Sequence, residues 1–66
     1  MENEHIVWSY YDKEGKNFRS RESFNSLNKA QKRMSGLIKY AGEQNGAYKI
    51  VLCKGMYDVI ATFMFV

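Results

Sequence analysis

The sequence predicts an α+β fold of element order β-β-α-β-β, with one amphipathic helix packed on one face of a four-stranded, mainly antiparallel sheet. Three observations lead there. A β-branched and aromatic run at residues 6–11 precedes a glycine-bearing turn. Apolar residues recur at helical spacing from Leu27 to Ala41. Two further apolar runs, 47–53 and 57–65, flank Lys54 and Gly55.

Each element has a local cause. Residues 6–11 carry the residue types that fit a pleated, half-buried surface, so they form the first strand. Asp12 to Lys16 then makes a hairpin turn with Gly15 in the left-handed position of a three-residue loop. That register pairs Tyr10 with Phe18 and Trp8 with Ser20, and places Val7, Ser9, Tyr11, Arg19 and Arg21 together on the opposite face. The second strand, about 16–22, is polar and belongs at a sheet edge, where its charges discourage edge-to-edge aggregation.

Ser26 is the helix N-cap, because its hydroxyl can accept from a free N–H of the first turn. Leu27, Ala30, Met34, Leu37, Ile38 and Ala41 form the buried stripe, Gly36 weakens it and Gly42 ends it. Asn45 and Gly46 mark the next turn. The last two strands are joined by an even-length turn, which aligns Tyr48, Ile50 and Leu52 with Tyr57, Val59 and Ala61 toward the helix. Strands one and four, being apolar, are expected in the middle of the sheet.

Bulk properties narrow the function classes. Sixty-six residues make room for one domain, 1–66. A chain of this size buries only about 60% of its unfolded surface. Hydrophobic content of 45% is too high for a disordered chain. One cysteine and one histidine remove disulfides and structural zinc as staples, so no metal and no cofactor is expected. The lone thiol fits a reducing, cytoplasmic setting. The acidic start is not a signal peptide, and the apolar stretch 59–66 is far short of a membrane span. A start at Met1 with no tag suggests a complete small gene product.

No nucleophile elbow, phosphate loop or dinucleotide fingerprint is present. His5 with Glu2 and Glu4 is an exposed terminal group rather than a catalytic pair, and Cys53 is a structural thiol beside Lys54. The chain is therefore read as a non-catalytic, regulatory binding module with no catalytic residues. Its partner is expected to be a protein or a second copy of itself, met through the open sheet face or an edge strand. Tyr11, Arg19, Arg21, Val51 and Ile60 are the interface candidates, since aromatic, arginine and apolar residues dominate interface cores. In size and cysteine-poor composition the chain is similar in style to accessory proteins of phages and mobile elements that bind host proteins.

The alternative is sequence-nonspecific nucleic-acid binding. Charge is unevenly spread: residues 1–14 carry net −3, residues 15–39 net +6, and residues 40–66 balance. A basic central segment, 16–39, is the electrostatic footprint of phosphate contact. Arg19, Arg21, Lys29, Lys32, Arg33 and Lys39 would supply it. The inferred register divides them between sheet and helix, and no base-specific motif accompanies them.

Overall fold

A computed structural model describes residues 4–66. Met1 and Glu2 lie outside the described residues. The chain runs β1 (His5–Tyr10), β2 (Phe18–Phe24), α1 (Leu27–Lys39), β3 (Lys49–Lys54) and β4 (Asp58–Met64). The four strands form one open antiparallel sheet of order β2-β1-β3-β4 with the helix on one face, as the sequence predicts. The middle pair is β1 and β3, not β1 and β4. Two hairpins joined by a helical crossover place β3 beside β1 and leave β4, bound only to β3, at an edge.

The helix forms where its stripe predicts. Ser26 Oγ accepts from Lys29 N–H at 3.4 Å, and Ala30, Met34 and Leu37 are buried. They pack on Val7, Ile50, Leu52 and Ala47, with Phe24, Ile38, Ala61 and Phe63 around the margin. Helix α1 ends at Lys39 and Gly42 follows in a left-handed conformation, φ +87°. Asn45 then ties helix to sheet: its Nδ2–H donates to the Leu37 carbonyl, satisfying a free C-terminal acceptor, and its Oδ1 accepts from Ala47 N–H.

Both edge strands carry a one-residue bulge. Ser9 pairs with Ser20 but Tyr10 pairs with Phe18, so Arg19 is the extra residue and Trp8 faces Arg21 rather than Ser20. Leu52 pairs with Ala61 but Cys53 pairs with Val59, so Ile60 is extra. The turn between β3 and β4 is three residues, Gly55 to Tyr57, with Lys54 opposite Asp58, not the even loop the hydrophobic pattern favours. Gly55 takes the positive φ of 67° that Lys54 would have resisted. The Ile60 bulge then restores phase, so Ala61 and Phe63 still face the helix.

The faces of β1 are the reverse of the expected ones. Val7 and Ser9 face the helix; Ile6, Trp8 and Tyr10 face away. Among the described residues, no helix is long and apolar enough to cross a membrane.

Candidate functional site

The sheet face opposite the helix is built by alternation along four strands. Strand β1 contributes Ile6, Trp8 and Tyr10; register places Ser23, Arg21 and Phe18 of β2 on one side of them and Cys53, Val51 and Lys49 of β3 on the other. Val59, Thr62 and Met64 of β4 continue the face. Ile6, Val51 and Cys53 are covered although no helix lies over them: Ile6 has no exposed surface and Cys53 only 4%. Trp8 helps to cover this layer, since its side chain hydrogen-bonds Cys53.

Above that layer is a cluster of aromatic and cationic groups. Phe18 meets both Trp8 and Tyr10 edge to face, with ring centroids 6.2 and 6.4 Å apart. The Arg21 guanidinium lies over the Trp8 ring at 5.4 Å. Lys49 and Tyr10 converge under the β1–β2 loop, where a Cβ on Gly15 would sit 3.5 Å from Lys49 Nζ and 3.9 Å from Tyr10 Cδ1. Among the described strand positions of this face, Arg21 and Lys49 are the charged residues.

The interface candidates read from sequence do not gather here. Arg21 and Val51 are on this face, Val51 mostly covered. Tyr11 packs beside Gly46, at the loop between α1 and β3. Arg19, displaced by its bulge, donates Nε–H to the Asn45 carbonyl at 2.7 Å and Nη1–H to Ser9 Oγ and Ser20 Oγ at 3.2 Å. It tethers β2 to the helix–sheet connection. Ile60 lines a groove beside the helix. The basic residues separate likewise. Lys29, Lys32, Arg33 and Lys39 stand on exposed positions of α1, in the other layer from Arg21. Arg33 is paired with Glu22 at 2.6 Å, and Lys39 lies 5.5 Å from the Tyr40 ring centroid.

Trp8, Tyr10 and Phe18 are the residues that sequence reasoning assigned to the wrong side. Their shared face was legible; being the more apolar face of the hairpin, it was taken for the buried one. The polar hydroxyl of Ser9 argues for the core only once its partners are known, namely Ser20 and Arg19.

His5 lies in β1 and is 8% exposed, a correction to the exposed terminal histidine expected from sequence. Burial pushes the Cys53 thiol above its ordinary value; the Trp8 hydrogen bond pulls it down and the charge of Asp58 raises it, with a net upward shift. The thiol stays protonated at neutral pH. Among the described residues, no group of three or more His, Cys, Asp or Glu is placed to hold a metal ion. No protein-family model, curated protein or solved structure matches this chain.

Proposed function

We propose that the chain is a non-catalytic binding module for single-stranded nucleic acid, working through Trp8, Tyr10, Phe18, Arg21 and Lys49. The observation that carries this reading is the make-up of the sheet face: three adjoining aromatic rings and two cations, with no carboxylate among its described strand positions. Unstacked bases pair their π-faces with such rings at about 1–3 kcal/mol per base, without regard to sequence. Cations at the margin hold the backbone phosphates. An open sheet suits splayed bases better than a duplex groove. The contact surface thus differs from the helix-centred segment 16–39, of which only Phe18 and Arg21 take part.

A protein partner is the second reading, supported by the aromatic and arginine content of the same face. Salt separates the two. Two phosphate contacts to a single strand give a slope of about −1.4 in log affinity against log salt, a loss of roughly sevenfold between 50 and 200 mM.

Trp8 is the sole tryptophan, so its fluorescence reports the face directly. Titration with mixed-sequence single strands should quench it. Affinity should fall with salt as above, weaken further in Arg21→Glu, and drop in Tyr10→Ala by the worth of about one stacked base. Absence of quenching at 50 mM, or binding that ignores both salt and Arg21→Glu, would overturn the proposal.

A further inference from the structure

We infer that β4 pairs antiparallel with β4 of a second copy of this chain, extending the sheet to eight strands. The two edges of the sheet are built differently. Strand β2 carries Arg19, Arg21 and Glu22, charges that guard an edge. From Val59 to Val66 there is no ionisable side chain, and Val59, Met64 and Val66 are largely exposed. An exposed, uncharged edge is a template for another strand.

The neighbouring surface says which strand. Helix α1 packs on β1, β2 and β3, and β4 projects beyond it. Between them runs an open groove of about 360 Å³ lined by Gln31, Met34, Ser35, Ile38, Ile60 and Ala61 together with Leu52, none of them charged. The chain has net charge +3, yet none of its ten lysines and arginines lines this groove, and the one charge on β4, Asp58 at its start, faces Lys54 of β3. A second copy, itself net positive, meets no like charge along 59–66. A partner of unlike charge would gain nothing from a neutral flank, whereas a like-charged copy needs one.

The geometry closes on itself. Phe65 N–H donates to the Tyr48 carbonyl at 2.9 Å, so the regular ladder begins after the Ile60 bulge at Ala61 and runs to Phe65. A two-fold axis centred on Phe63 sets Thr62 opposite Met64 of the second copy, and the reverse, in an isologous contact. Both helices then lie on one side and both aromatic faces on the other. The two β1 strands, five strand spacings apart, stand about 24 Å from one another. Such pairing also supplies burial that a core of this size lacks.

Sedimentation equilibrium over a wide concentration range should give twice the 7.7 kDa chain mass. Amide exchange at 61–65 should slow as concentration rises, while β2 amides stay unchanged. Thr62→Lys combined with Met64→Lys puts cation opposite cation twice and should return the mass to 7.7 kDa with an unaltered circular dichroism spectrum. A wild-type chain that stays monomeric throughout would overturn the inference. So would a dimer whose β4 exchange ignores concentration, or one that persists in the folded double variant.

Discussion

The Arg19 guanidinium donates to the Asn45 backbone carbonyl at 2.7 Å, joining an edge strand to the loop that connects α1 with β3. The bulge at Arg19 is what aims this side chain out of the alternation of β2. Its Nη1 also satisfies Ser9 and Ser20, whose hydroxyls are bonded to each other, Ser9 having no exposed surface. Arg19→Ala leaves the buried Ser9 hydroxyl, the half-buried Ser20 hydroxyl and the Asn45 carbonyl with fewer donors. It should cost about 1.5–3 kcal/mol, as hydrogen bonds to charged groups do. Arg21→Ala, on the exposed face, should cost less than about 0.5 kcal/mol. Urea denaturation of the two variants checks the division; equal losses would contradict it.

Two glycines predict opposite signs. Gly42 has φ +87°, and a Cβ there would stand 2.8 Å from Phe65 Cζ and 2.9 Å from Cε2. Phe65 has little freedom to yield, because Tyr48 meets its ring edge-on at 5.6 Å and accepts its backbone N–H. Gly42→Ala should therefore destabilise by roughly 1–3 kcal/mol. Gly36 lies inside α1, and a Cβ there meets nothing within 4 Å. Gly36→Ala should stabilise by about 0.5–1 kcal/mol. A thermal melt of each is enough, and the same sign for both would refute the argument.

The helix and the strand inventory were legible because their signals are local: a 3.6-residue stripe, a Ser26 cap, glycines where φ must be positive. The faces were not, because phase depends on bulges. Without the extra residue at Arg19, Arg21 falls opposite Val7 and shares its face; with it, Arg21 falls opposite Trp8. The Ile60 bulge likewise reconciles a three-residue loop with a helix-facing Ala61, a combination that an unbroken ladder forbids. Hydrophobicity misled at β1 for a related reason. Ala30 is a small residue at the helix–sheet contact and packs with Val7, while the bulkier Trp8 and Tyr10 lie where no helix covers them. Of the residues now placed on the candidate site, Arg21 is assigned to the open face by the sequence pattern, and the three rings to the other.

The buried stripe of α1 makes a graded prediction. Leu37 is 3% exposed and central to the core, whereas Leu27, at the first turn, is 39% exposed. Leu37→Ala should cost about 2–5 kcal/mol, from lost burial plus the cavity left behind. That is most of what a chain of this length can hold, so the variant should be largely unfolded at room temperature. Leu27→Ala should cost well under half as much. Comparable losses at the two positions would mean that the helix face is misassigned.

The β1–β2 loop should carry an acid-sensitive contribution to stability. Partial desolvation raises the Asp12 carboxyl, but the backbone N–H groups of Asn17, Lys16, Gly15 and Asp12 itself outweigh it, and the net is a value below the ordinary 3.8. Oδ1 accepts from Lys16 N–H at 2.9 Å and Asn17 N–H at 3.2 Å, and Oδ2 from Asn17 Nδ2–H at 3.2 Å. A carboxyl depressed by folding stabilises the fold above its unfolded value, and that stabilisation is lost as pH falls through the lower, folded value. The carboxyl carbon of Asp12 should titrate with a midpoint below 3.8, and the Lys16 and Asn17 amides should report the same midpoint. Asp12→Asn keeps an acceptor at Oδ1 but removes the charge, so stability should vary less with pH between that midpoint and 3.8. A midpoint at or above 3.8 would show that the loop donors do not hold the charged form.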